Sequence, residues 1–253
     1  MNKNVQTVYT FHLGDTLIDT AQRHSKSEVI RNLDGQGIGK IVLTHFHEDH
    51  SGNAAYLKRR WKVPVYAHPE AVKILRKGYN MSPLGYLLNG QVARFTALPL
   101  LETDVIDTGK YTLQPIYTPG HSHDHYSYYA KEKGWLFSGD LFVAERIKYF
   151  ANFESMRQQI DSIRLLCSLD FDVLLCSHNP KIRNGKGHLH KKLQDLEDFY
   201  GTVVRLNKKG MTLGEILQHT GRKENVLYNI VTLGGFNAIN MVKSVLRDEG
   251  VLK

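Results

Sequence analysis

The chain is poor in cysteine, with only Cys167 and Cys176 among 253 residues. Two thiols make no disulfide framework, which excludes a small cross-linked secreted scaffold. Both are expected to be reduced, buried and structural, Cys167 in a helix and Cys176 in a strand. Long apolar runs are also lacking: none approaches the roughly 18 residues that a membrane-spanning helix needs. The leading Met1-Asn2-Lys3-Asn4-Val5-Gln6 lacks the apolar stretch of a secretory signal, so a cytoplasmic protein with no membrane partner is expected. Acidic residues are in the minority, 25 against 33 Lys and Arg, and the resulting formal charge of +8 favours anionic partners without naming one. At 42% hydrophobic content the chain can bury one large core, or a domain plus an appendage.

Histidine, by contrast, is plentiful, and its distribution is uneven. The run Thr44-His45-Phe46-His47-Glu48-Asp49-His50-Ser51-Gly52-Asn53 places three imidazoles and the Asp49 carboxylate, with Glu48 beside it, within six consecutive positions, directly after an apolar segment. Neutral imidazole and carboxylate are the N and O donors that Zn²⁺ takes at about 2.0–2.2 Å, and core packing calls for no such density. His45 and His47, two apart, leave an extended backbone on the same side. Asp49 and His50 follow where the chain turns toward a helix and face the same point from a second direction. One stretch can therefore feed two adjacent metals. Further donors stand at the ends of β-like segments: His121 in Thr118-Pro119-Gly120-His121, Asp140 in Phe137-Ser138-Gly139-Asp140, and His178 after Val173-Leu174-Leu175-Cys176-Ser177. His12, His24, His68, His188, His190 and His219 show no ligand spacing, and surface or capping roles are expected for them.

In order and spacing these residues resemble the metallo-β-lactamase superfamily, with its HxHxDH run, distal His, distal Asp and final His, over about residues 5–180. The resemblance implies a four-layer αββα sandwich of the α/β class with the site at one edge of its two sheets. It also implies one metal on His45, His47 and His121, another on Asp49, His50 and His178, and Asp140 bridging them. Two Zn²⁺ ions are expected, with Fe or Mn as alternatives that the same donors accept. Asp19 matches an acid that supports the backbone of the metal loop without binding metal, although Ala21 stands where Gly is usual. In Gly120-His121-Ser122-His123-Asp124-His125, His123 and Asp124 replace the usual Pro and Gly. His125 matches a second His common in the family and is read as orienting a ligand by hydrogen bond.

Patterning agrees with alternating strands and helices. Strands are expected at 5–11 and 16–19, broken at Gly14-Asp15, then at 40–44 and 64–67, and helices at 25–33 and 53–61. Between about 70 and 100 this rhythm fades into an insertion that either packs on the body or forms a lid or wall over an apolar pocket. A metallo-hydrolase domain over 1–185 is then followed by a helical extension over 186–253. Its first helix carries Leu189, Leu193, Leu196, Phe199, Tyr200 and Val203 and stops before Gly210. Thr212-Leu213-Gly214-Glu215 reads as a capping box. Helices at 226–233 and 236–246 complete a tail that resembles, loosely, a winged-helix appendage.

The donors imply hydrolysis by a hydroxide bridging two metals, with Asp49 as the catalytic residue that orients it or accepts the proton. A small ester, thioester or lactone is the expected substrate. The alternatives are β-lactam hydrolysis, and a phosphodiesterase or ribonuclease acting on nucleic acid. The latter is favoured by the net charge and by Lys181–Lys192, which carries five fixed positive charges and no acid close behind His178. That run is otherwise a solvated loop entering a helix. Nothing in the sequence reports the oligomeric state.

Overall fold

Strand residues in this chain alternate between two apolar faces, and that alternation sets the layers. In the computed structural model, which describes residues 7–81 and 83–252, one sheet has the order β1 (Phe11–Leu13), β2 (Thr16–Ile18), β3 (Lys40–Val42), β4 (Val65–Ala67) and β5 (Leu98–Pro99). β2 to β5 run parallel and β1 pairs antiparallel with β2. The second sheet is built from β6 (Ile106–Asp107), β7 (Thr112–Tyr117), β8 (Tyr126–Ala130) and β9 (Trp135–Gly139), with β11 (Val173–Cys176) beside β9 as its edge. Ile18 and Val42 join Tyr126, Tyr128 and Phe137 between the sheets. Their chain neighbours Leu17, Ile41 and Leu43 point the other way, onto helices α1 (Lys26–Leu33), α3 (Ala54–Trp61) and α4 (Pro69–Lys77). Likewise Tyr129 and Leu136 face outward from the second sheet, onto α6 (Met156–Cys167) and α7 (Gly185–Asn207). A period of two in the strands thus yields three apolar interfaces and four layers.

The C-terminal helices α7, α8 (Leu213–His219) and α10 (Ile239–Asp248) share one apolar cluster with α6 and the second sheet, through Leu196, Phe199, Ile216, Met241 and Val245. Thr212 and Glu215 form the expected capping box at the start of α8. α9 (Val226–Val231) completes the set. The expected helix beginning at Phe236 is corrected: β12 (Phe236–Asn237) pairs antiparallel with β10 (Phe150–Ala151), and α10 begins only at Ile239. The reason is local, because the Asn237 side chain accepts the backbone N–H of Asn240 and so starts the helix after itself. The first expected strand is also displaced. Its described part, residues 7–10, is irregular and the strand lies at 11–13, while residues 5 and 6 fall outside the described residues. Of the 70–100 insertion, α4 is an ordinary layer helix that buries Ala71 and Leu75. The short α2 (Glu48–Ser51) and α5 (Pro83–Asn89) flank the site. Cys167 and Cys176 are free and buried. Among the described residues no helix is long and apolar enough to cross a membrane.

The strand ends are tied together across the sheets. Tyr128, buried between them, donates its hydroxyl to Leu43 O at 2.6 Å, and Tyr126 N–H donates to Thr44 O at 2.7 Å. Tyr128→Phe is expected to lower stability by about 1–3 kcal/mol, because it leaves a buried carbonyl short of a donor. Urea unfolding of the two proteins, with the midpoints compared at equal slope, checks this.

Candidate metal centre

Four strand ends deliver the polar groups to one edge of the sandwich. His45 lies just past β3, His121 past β7, Asp140 directly after β9 and His178 two residues after β11. His47 precedes α2, and Asp49 and His50 are carried on it. Both distal donors after Gly depend on that glycine. Gly139 has φ +47°, and a Cβ there would stand 2.6 Å from His125 Nε2; at Gly120, φ +129°, it would meet Gln159 N at 2.4 Å. No side chain fits at either position.

The expected donors converge as two groups. His45, His47 and His121 form one, and Asp49, His50, Asp140 and His178 the other, with the donor atoms of each group within 4.8 Å of one another. In the first, His47 Nδ1 lies 2.9 Å from His45 Nε2 and 3.1 Å from His121 Nε2. In the second, His50 Nε2 lies 3.6 Å from Asp49 Oδ1 and 3.4 Å from Asp140 Oδ1. His178 Nε2 stands 3.4 Å from Asp49 Oδ2 and 3.2 Å from Asp140 Oδ2. Asp140 Oδ2 is also 3.7 Å from His121 Nε2, so Asp140 touches both groups. Ligands of one tetrahedral ion with bonds of about 2.0–2.1 Å are about 3.3 Å apart, which is the spacing seen here. His50 Nε2 and Asp140 Oδ1 are buried and have no hydrogen-bond partner among the described residues. Five other buried side-chain atoms, of Gln22, Asn53, Ser122, Asp124 and Ser138, also lack a partner, but these two belong to the converging donor set and stand 3.4 Å apart, which fits a cation between them.

Electrostatics separate the groups. Burial, reinforced by His50 and His47, holds His45 well below the ordinary imidazole range, and burial together with His121 takes His47 down to about 3. Both rings are neutral and available as N donors. Burial also works against charge on His50 and His178, but Asp140 and Asp49 outweigh it, raising His50 strongly and pushing His178 up to about 11. Burial alone would raise the Asp140 carboxyl; His178 and His50 instead hold it well below its usual range. The second group is thus a negative pocket that attracts positive charge.

The supporting shell fixes ring orientations. Asp19, which is 1% exposed, accepts Thr44 N–H and the Thr44 hydroxyl at 2.8 Å each and lies 2.9 Å from His50 Nδ1, leaving Nε2 free to face the cluster. Ala21 adopts the left-handed conformation, φ 55°, so the usual turn survives without its glycine. His125 Nε2 accepts the backbone N–H of Asp140 at 3.2 Å, and its Nδ1 lies 2.9 Å from Thr118 Oγ1. His178 Nδ1 is 2.9 Å from Thr7 O.

Sequence reasoning missed two buried acids. Glu154 Oε2 faces His121 Nδ1 at 3.5 Å, and Asp124 Oδ2 accepts Phe46 N–H at 2.8 Å, pinning the backbone between His45 and His47. For Asp124 the signal was its departure from the usual Gly. Glu154, in an unremarked loop before α6, gave none. The remaining histidines lie outside the cluster; His68, for example, caps α4 by accepting Glu70 N–H.

Two cavities of about 500 Å³ flank the cluster. One is lined by His121, Asp140 and His178, the other by His47 and Asp49 with Tyr79, Asn80 and Met81 of the insertion, and Phe236 borders both. Tyr79 also donates its hydroxyl to Phe46 O at 3.1 Å, so this part of the insertion is a wall of the site.

The model of the Metallo-beta-lactamase superfamily matches residues 12–178, and the chain belongs to that superfamily of metal-dependent hydrolases. Among its curated relatives, Probable metallo-hydrolase YqgX of Bacillus subtilis (strain 168) is 30% identical over 146 residues, 56% of this chain and 68% of that protein. Hydroxyacylglutathione hydrolase of Hahella chejuensis (strain KCTC 2396) is 31% identical over 148 residues, 57% of this chain and 49% of that protein. The matched regions thus span between 49% and 68% of these two relatives. A metallo-beta-lactamase family protein from Thermus thermophilus shares the fold along nearly the whole chain, with TM-score 0.72 and 19% identity, covering 96% of this chain and 88% of that one. TTHA1623, solved in a di-iron-bound form, gives TM-score 0.60 at 24% identity, covering 74% and 93%.

Removing one supporting acid should loosen the ion without unfolding the sandwich. Asp19→Asn and Glu154→Gln are each expected to weaken Zn²⁺ binding about 10–100-fold, measured by competition with a chromophoric chelator and accompanied by an unchanged far-UV spectrum.

Proposed function

We propose that the chain hydrolyses a small carbonyl substrate, a thioester foremost, at a binuclear metal centre. His45, His47 and His121 would hold one ion, Asp49, His50 and His178 the other, with Asp140 shared. The observation that carries this reading is the convergence of three imidazoles and a four-residue Asp/His group on Asp140, with two buried donor atoms left unpaired. Two divalent ions supply Lewis acidity and bring the pKa of a water near neutrality. The protein's own part is positional. Asp49, beside His50 and His178, is the group placed to orient the attacking water and take its proton. Asp19 and His125 keep the donors in register, and the two flanking cavities give the acyl and leaving groups separate berths. Zn²⁺ is our assignment for both ions, and iron, present in one structural neighbour, is the alternative. A cytoplasmic location goes with this reading.

Relatives named hydroxyacylglutathione hydrolase support an acyl group on sulfur as the substrate bond. The basic run gives less support to a nucleic-acid substrate, because its lysines are engaged within the fold. Lys181 donates to Asn179, Lys186 to Leu169 O, Lys191 to Glu145 and Lys192 to Leu141 O.

The test is the initial rate of the Zn-loaded protein on thioester, lactone, aryl ester, bis-aryl phosphodiester and single-stranded RNA, each with and without EDTA. Turnover confined to carbonyl substrates is expected. EDTA, His45→Ala and Asp140→Ala should each lower it on the order of 10³-fold or more, since several kcal/mol of transition-state stabilisation go with the metals. Full turnover after loss of metal, confirmed by elemental analysis, would refute the assignment, and turnover of the phosphodiester or RNA alone would replace the substrate class.

A further inference from the structure

The segment from Asp140 to Glu154 joins the carboxylate that touches both donor groups to the acid that faces His121, and beyond the short β10 it has no regular structure of its own. Much of it is buried, with Leu141, Phe142 and Phe150 fully covered. Irregular backbone in such a place has carbonyls that need donors from elsewhere. Many of these donors belong to the C-terminal extension. Among the described residues, four buried polar side chains of the extension end on main-chain oxygens of this segment. Lys192 on α7 donates to Leu141 O, Arg222 Nε to Ile147 O at 3.0 Å, Asn240 Nδ2 to Phe150 O at 3.2 Å, and Ser244 Oγ to Glu154 O at 2.9 Å. Ser244 Oγ also accepts the N–H of Met156, the first residue of α6, at 2.8 Å.

These side chains are unusual where they stand. None of the four is more than 7% exposed. Lys192 lies in the buried row Leu189, Leu196 and Phe199 of α7, and Ser244 in the row Met241, Val242 and Val245 of α10. Apolar residues would pack these helices at least as well, because a buried polar group is unfavourable until a partner satisfies it. What the polar ones add is a fixed path for the segment. The two at its ends bear directly on the centre. Leu141 follows Asp140, and Glu154 places its Oε2 3.5 Å from His121 Nδ1. Burial pushes the Lys192 ammonium down to about 8, while Glu154 and Asp140 draw it back up, so its charge is felt by both acids.

We propose that Lys192 and Ser244 are positioning residues of the metal centre: through Leu141 O and Glu154 O, the C-terminal extension sets where the Asp140 carboxylate and the His121 ring stand. The inference rests on the metal-centre reading above and extends it to a part of the chain that supplies none of the converging donors.

The test measures Zn²⁺ affinity, by competition with a chromophoric chelator under native conditions, for the wild type, Lys192→Met, Ser244→Ala and Leu206→Ala. Leu206 is buried in the same apolar cluster but lies 14 residues beyond Lys192, about 21 Å along α7 at 1.5 Å per residue. Its truncation should lower the urea midpoint and leave the affinity alone. Lys192→Met and Ser244→Ala are each expected to weaken Zn²⁺ binding about 10-fold or more, the scale for residues that orient metal ligands. Both should also change the visible spectrum of the Co²⁺-loaded protein, which reports donor geometry and not global stability. Lys192→Arg, which keeps a donor for Leu141 O, should recover most of the affinity. Affinities and spectra equal to those of the wild type, or shifted as much by Leu206→Ala, would overturn the inference and leave the centre standing. A wild type that takes up no Zn²⁺ would instead remove the centre, and the inference with it. Should Lys192→Met not fold, Ser244→Ala, which deletes a single oxygen, decides alone.

Discussion

A carboxylate buried as deeply as that of Asp19 has to be held by hydrogen bonds from every side, and what it binds decides the geometry of the centre. Its oxygens take the backbone N–H and hydroxyl of Thr44 and face His50 Nδ1. The Thr44 hydroxyl lies 3.0 Å from His45 Nδ1, so one acid orients an imidazole of each group. The turn that presents Asp19 is strained, with Asp19 at φ 59° and Ala21 at φ 55°, each costing about 1–2 kcal/mol for a residue with a Cβ. That cost is offset by Asn53, whose amide donates to Thr20 O and Gln22 O and reaches Ala21 O, and by Thr20 N–H, which donates to His50 O. The strain and the metal loop are thereby part of one network.

Around that network the sandwich works as a set of converging strand ends. β7, β9 and β11 point the same way because each antiparallel step is taken twice or not at all, so their C-termini share an edge. The link from Tyr126 N–H to Thr44 O brings the end of β3 to the same place. The donors are far apart in sequence, and rigid strands, the short α2, two glycines and the Asp19 network bring them together.

Much of the centre was legible because ligand chemistry allows few substitutes. His45, His47, Asp49, His50, His121, Asp140 and His178 can be picked out by residue type at strand ends, and the structure brings all of them together. Asp19 and His125 were found through resemblance, while Glu154 was invisible because a lone acid before a helix cap is commonplace. In the fold, helices of eight or more residues gave enough turns to be placed within a residue or two, as α1 and α3 show. Strands of two or three residues offer too few alternations, hence the misplaced first strand and the helix wrongly begun at Phe236. The pairing of β12 with β10 is a tertiary contact across some 85 residues, on which local periodicity has no bearing. Lys192 was counted among surface charges, since only packing reveals that its position on α7 faces inward.

That same β10–β12 pairing places Phe236, from the C-terminal third of the chain, on the border of both cavities. The converging donors end at His178, whereas part of the cavity walls, Lys192, Thr232, Gly235 and Phe236, comes afterwards. A substitution in the tail can therefore reshape the border of both cavities without touching any of the seven converging His and Asp residues.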